Sequence, residues 1–144
     1  MDNKAERIPG FILERTAKRM KQYFAQQLKA MDAGITADQW VILQALDNND
    51  QLSQFEIAQT TYKDAPTVTR IIDLLVGKNL LERLPDPKDR RRFRISLTKE
   101  GRALIDRLMP MVKEFRRKSW SGLSDEEIDQ LIRMLNIVFE GYEE

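Results

Sequence analysis

Five cations, Lys88, Arg90, Arg91, Arg92 and Arg94, fall within seven residues, and only Asp86 and Asp89 lie among them as offsets. Like charges held this close repel one another, so the segment suits a polyanion. A basic loop tip in particular fits the narrow, negative minor groove of DNA. Upstream stand Ala65, Pro66, Thr67, Thr69 and Arg70. Short hydroxyls and free backbone N–H groups suit phosphates, and an arginine can meet O6 and N7 of a guanine with two hydrogen bonds. Each signal has a plainer reading: a solvated loop, and a surface helix on which Arg70 pairs with Asp73 one turn away. Other chemistry is poorly supplied. The 144 residues include no cysteine and no histidine. That excludes disulfides, thiolate nucleophiles, zinc fingers, Ser-His-Asp triads and His-carboxylate metal sites. A Ser–Lys or paired-carboxylate enzyme is a remote third reading, because no motif puts a nucleophile beside a base and no Gly-rich phosphate loop occurs. The chain reads as no enzyme, with no cofactor and no metal.

The elements that must hold these residues follow from caps and periodicity. Leu13, Ala17, Met20, Phe24 and Leu28 recur at helical spacing and predict an amphipathic helix over about 10–30. Thr36-Ala37-Asp38-Gln39, Ser53-Gln54-Phe55-Glu56 and Ser124-Asp125-Glu126-Glu127 each have the capping-box form and open three more helices. Asp64 caps another, which tolerates Pro66 in its first turn and runs to about Lys78, with Asn79 placed to take the left-handed conformation after it. Val68, Ile71, Ile72 and Leu75 form its buried stripe, which leaves Pro66, Arg70 and Asp73 on the far side, flanked by Thr67 and Thr69. Leu80 to Leu84 and Arg92 to Leu97 read as short strands around the charged loop 85–91. In the second strand, Phe93, Ile95 and Leu97 are expected inside and Arg92, Arg94 and Ser96 outside. Helical pattern returns from Thr98 to about Lys118. Two helices, a short turn and a β-hairpin make a winged helix-turn-helix. The basic loop therefore follows the helix pair at the distance of a wing. Charge agrees: the net charge is only +1, yet residues 63–102 alone carry 11 basic and 6 acidic side chains, so the middle of the chain is where a polyanion would bind.

These residues resemble the MarR family of bacterial transcription regulators. The likeness lies in Asp64-Ala65-Pro66-Thr67-Val68-Thr69-Arg70-Ile71-Ile72-Asp73, in Leu80-Leu81-Glu82-Arg83, in Asp86-Pro87-Lys88-Asp89-Arg90-Arg91 and in Leu97-Thr98-Lys99-Glu100-Gly101, and it covers nearly the whole chain. It implies a mainly α subunit with a small β-hairpin wing, spanning 1–144 as one subunit. About 36–97 would be the DNA-binding lobe, and about 1–30 and 98–144 the helices that interleave as an obligate homodimer. It implies a recognition helix at about 64–78 in the major groove of double-stranded DNA and a wing at 85–91 in the minor groove. The DNA-contacting set is then Ala65, Pro66, Thr67, Thr69, Arg70, Lys88, Asp89, Arg90 and Arg91, with Asp89 bracing an arginine and either Arg90 or Arg91 making the contact. The family also implies a cleft for a small aromatic or anionic effector, which Arg15, Arg19, Trp40, Met109 and Trp120 could line. Such a Trp or Met is more often simply core. Thr61, Tyr62, Lys63 and Asn79 depart from the family's usual residues around the recognition helix, and the lack of cysteine excludes its peroxide-sensing branch.

The chain ends point the same way on their own. Ile128, Leu131, Ile132, Met134, Leu135, Ile137, Val138 and Phe139 spread around most of the last helix, which therefore needs neighbours on more than one side. Ile8, Phe11, Ile12, Met109, Val112 and Phe115 are the expected partners. No apolar run is long enough to span a membrane, and the first residues do not form a signal peptide, so the expected location is the cytoplasm. The expected function is a sequence-specific repressor that binds a pseudo-palindromic operator as a homodimer and is relieved by a small molecule. The alternative is a winged-helix protein–protein module with only non-specific DNA affinity.

Overall fold

Three helix starts form by the same local chemistry. Thr36, Ser53 and Ser124 each accept a hydrogen bond from the backbone N–H three residues on, while Gln39, Glu56 and Glu127 reach back to the cap. Two otherwise orphaned N–H groups are satisfied at each start. In the computed structural model, which describes residues 4–143, the order is a short 3₁₀ turn (Lys4–Arg7), α1 (Pro9–Ala30), α2 (Ala37–Asn48), β1 (Leu52–Ser53), α3 (Gln54–Thr61), α4 (Ala65–Gly77), β2 (Leu81–Pro85), β3 (Phe93–Leu97), α5 (Lys99–Trp120) and α6 (Asp125–Glu140). The 3₁₀ turn and β1 have no counterpart in the sequence reading. The chain divides into two compact units, Met1–Pro110 and Met111–Glu144.

In the first unit, Leu28, Ile42, Leu43, Leu46, Ile57, Val68, Ile72, Leu75, Leu81 and Ile95 are buried, joined by Ile105 and Leu108 from α5. The α4 stripe is buried as its spacing requires: Val68, Ile71, Ile72 and Leu75. On α1 only the later part of the stripe is covered, Phe24 and Leu28. Phe24 meets Trp40 edge-on at 6.3 Å between ring centres. The sheet is three-stranded and antiparallel in the order β1-β3-β2, so the expected hairpin gains a short third strand. Leu81 pairs Leu97, Pro85 pairs Phe93, and Leu52 pairs Ile95.

The expected alternation along β3 fails at two places. Phe93 is 51% exposed, because it pairs with Pro85 at the far end of the hairpin, beyond the core. Ser96 is buried, since β3 is the middle strand and so small a side chain is covered by its neighbours.

The corner after α4 closes as Asn79 predicts. Asn79 has φ of +60°, its N–H donates to the Val76 carbonyl, and the Leu80 N–H donates to the Leu75 carbonyl. This pair of bonds is a Schellman ending. Helix α5 is seated on the same corner: Thr98 donates from its hydroxyl to the Asn79 carbonyl and from its backbone N–H to the Leu80 carbonyl. Gly101 follows so closely that a Cβ there would collide with the Leu80 carbonyl oxygen. In the second unit, α6 buries none of its residues within the single chain. Ile132, Ile137 and Val138 are each more than half exposed.

Candidate nucleic-acid interface

Helix α4 begins at Asp64, whose carboxylate accepts the Thr67 N–H at 2.8 Å. That backbone hydrogen bond, with a second from the Thr67 hydroxyl, holds the Asp64 carboxyl below the usual range. Thr69 is also engaged within the protein. Its hydroxyl donates to the Ala65 carbonyl at 3.1 Å and accepts from the Gln54 amide at 3.0 Å. Ala65, Pro66, Thr69 and Arg70 are exposed and Thr67 is half-buried. The plainer reading of Arg70 does not hold, because Asp73 pairs with Arg83 of β2 instead. Arg70 is left without an ion-pair partner among the described residues. The turn into α4 carries Tyr62 at φ of +55°, the left-handed conformation for which glycine is better suited. Beside it Lys63 reaches Asp38 at 2.9 Å, and Lys21 of α1 reaches the same carboxylate at 3.0 Å. The Lys63 hydrogen bond is the chief cause of a lowered Asp38 pKa.

The wing is a charged loop organised by two aspartates. Asp86 accepts the Lys88 N–H at 2.8 Å and faces Arg94 at 3.9 Å. Asp89 accepts the Arg91 N–H at 2.9 Å. Its side-chain partner is Arg92, at 3.7 Å, and not Arg90 or Arg91 as the expected brace required. The reason is geometric: a carboxylate that caps the N–H two residues on is aimed back at the loop, where the i+3 guanidinium comes within reach. Lys88, Arg90 and Arg91 are exposed, with no ion-pair partner among the described residues, and Asp89 is half-buried. Two cations of the wing, Arg92 and Arg94, thus have loose ion-pair partners within it, and the other three have none among the described residues.

Comparison with known proteins places this arrangement. A family model described as "MarR family" matches residues 33–92. The chain is 32% identical over 126 residues to the HTH-type transcriptional repressor NicR of Pseudomonas putida, covering 88% of this chain and 78% of that relative. The chain belongs to the MarR family. Among solved structures, BpsR of Bordetella bronchiseptica, described with regulation of its DNA binding by 6-hydroxynicotinic acid, is 30% identical with a TM-score of 0.79, over 90% of this chain and 96% of that one. MepR of S. aureus, solved in complex with DNA, is 30% identical with a TM-score of 0.85, over 92% and 97%.

Of the effector residues anticipated for a MarR-family member that lie in the first unit, Arg15 and Arg19 share a pocket of about 420 Å³ with Thr16 and Met20. Trp40 is buried against Phe24 and does not line it, and Met109 is half-buried elsewhere on α5. Trp120 belongs to the second unit and is 38% exposed. Three contributors carried no sequence signal: Gln54 against Thr69, Arg83 against Asp73, and Arg92 against Asp89. Each is a side-chain contact between positions whose neighbourhood only the folded chain defines. Among the described residues no helix is long and apolar enough to cross a membrane, and no group of three or more metal-ligating side chains occurs.

Proposed function

We propose that this protein is a sequence-specific transcription repressor of the cytoplasm, without catalysis of its own, that binds a pseudo-palindromic operator as a homodimer and is released by a small aromatic acid. The supporting observation is the set of cations left free by the local pairing: Arg70 on α4 and Lys88, Arg90 and Arg91 on the wing. Asp73 and Asp89, two acids close to them in sequence, pair with Arg83 and Arg92. In this reading α4 enters the major groove, with Ala65, Pro66, Thr67 and Thr69 against the backbone and Arg70 on a base edge. The wing enters the minor groove through Arg90 or Arg91, with Asp89 fixing the loop. Residues 36–97 form the DNA-binding lobe, and 1–30 with 98–144 supply the dimer, for which the exposed apolar residues of α6 are the support. The effector class rests on the Arg15 and Arg19 pocket and on the regulation of BpsR by an aromatic carboxylic acid.

The test is selection of operator sites from random DNA, followed by binding with and without 6-hydroxynicotinic acid as the first probe. A selected two-half-site sequence, bound more tightly than random DNA and released by an aromatic acid, is the expected result. Equal binding to selected and random DNA would overturn the repressor reading in favour of a module with non-specific affinity.

A further inference from the structure

A groove of about 380 Å³ runs between the start of α3 and the root of the wing, lined by Ser53, Gln54, Phe55, Arg91, Arg92 and Phe93. Phe55 is 66% exposed and Phe93 51% exposed, two aromatic rings left in water on one small groove. Two arginines share it with an amide. Gln54 is fixed there: it donates one N–H to the Thr69 hydroxyl, which is itself pinned because its proton goes to the Ala65 carbonyl. A long, flexible side chain is therefore already ordered, with its second N–H uncommitted, and preorganisation of this kind lowers the cost of binding. Arg91 has no ion-pair partner among the described residues, and Arg92 lies 3.7 Å from Asp89, too far for a hydrogen bond.

We propose that this groove is a seat for one backbone phosphodiester of the bound DNA, with Gln54, Arg91 and Arg92 as donors to the phosphate and Phe55 and Phe93 packed on the flanking deoxyriboses. The site rests on the DNA-binding reading above and adds Gln54, Phe55, Arg92 and Phe93, which neither the recognition helix nor the 85–91 wing supplies. Its place explains its use. Gln54 touches Thr69 of α4 on one side and shares the groove with the wing arginines on the other, so the seat holds the strand between the base pairs read by the helix and those met by the wing. The charge of the groove selects a polyanion over an apolar or cationic partner.

The experiment uses the selected operator and copies of it in which single phosphates are replaced by uncharged methylphosphonates. Gln54→Leu should weaken operator and random DNA by the same factor, about tenfold per half-site, with base preferences and the salt dependence unchanged. Arg92→Gln should lower the slope of log K against log salt by about 1.8 per dimer, for two cations lost. Gln54→Glu keeps the shape but sets a carboxylate against the phosphate. It should bind worse than Gln54→Leu and recover on the one duplex per half-site whose seated phosphate is neutral. Recovery at no phosphate would overturn the seat. So would a Gln54→Leu protein with altered preference at one base position and unchanged random-DNA binding, since Gln54 would then be reading a base. Should the wild type bind selected and random duplexes alike, the repressor reading falls by itself. The seat is then scored by whether Gln54→Leu and Arg92→Gln weaken that shared binding.

Discussion

Arg70 has no ion-pair partner among the described residues, and Asp73, one turn on, pairs with Arg83 instead. The Arg70 guanidinium thus keeps its donors for the base edge proposed above. Arg70→Ala should cost about 1–3 kcal/mol at the operator and relax preference at one base position per half-site, as read by competition with single-base operator variants. An unchanged ratio of operator to random binding would remove Arg70 from the reading surface. Asp38 shows a different use of pairing, since its carboxylate joins Lys21 of α1 to Lys63 of the turn before α4. Its pKa is lowered in the fold, chiefly by the Lys63 hydrogen bond. The contribution to stability is therefore complete above the unfolded value, near pH ~4, and is lost as pH falls through the lowered folded value. Urea unfolding should show Asp38→Asn less stable than wild type near neutral pH, with the gap closing as pH falls below the unfolded value near pH ~4. A gap that widens toward acid would contradict the assignment. At this scale the sequence was legible for types and poor for partners. Arg70 and the wing cations stand out by charge density alone, whereas Asp89–Arg92 and Gln54–Thr69 depend on loop and helix geometry that no spacing rule encodes.

Elements were the most legible level, because caps act locally. All three capping boxes and the Asp64 cap form where their residue types place them. What escaped was non-local. β1 is two residues long and exists only through its pairing with β3, and the exposure of Phe93 follows from its register opposite Pro85. The wing is an element whose shape is set by acids within a basic run. Asp89→Ala removes the cap on Arg91 and the partner of Arg92, and we expect weaker operator binding although the protein becomes more positive. Simple net-charge attraction predicts the reverse, so a shift assay at fixed salt, with circular dichroism to verify the fold, separates a shaped loop from a merely cationic one. The joint between α4, β2 and α5 is tight in another sense. Gly101→Ala drives a methyl group into the Leu80 carbonyl and should lower stability by about 1–3 kcal/mol by thermal or urea unfolding, whereas an unaffected midpoint would show that the corner yields.

For the whole molecule, the apolar surface of α6 is the feature that demands company. Met134, Leu135, Ile137 and Val138 lie 37–56% exposed in a single chain, on a helix whose first turn is acidic. Sedimentation should give a dimer at low micromolar concentration, and Leu135→Glu should give monomer or aggregate; a stable wild-type monomer would refute the proposed assembly. This level was legible only in outline, because a sequence shows that a helix is apolar on most sides without showing what covers it. The Asp73–Arg83 pair has a consequence that reaches beyond the protein. It joins α4 to β2, and β2 is in turn paired residue by residue with β3, so in the proposed complex helix and wing would act as the set jaws of a caliper. Jaws that cannot adjust oblige the gauged object to do so. DNA of the wrong local twist or groove width has to be deformed to meet both, at an elastic cost set by the base steps between them. On the proposed reading the operator would be specified in part at base pairs that no side chain touches, and a stiff insert there should weaken binding while every contacted base stays in place.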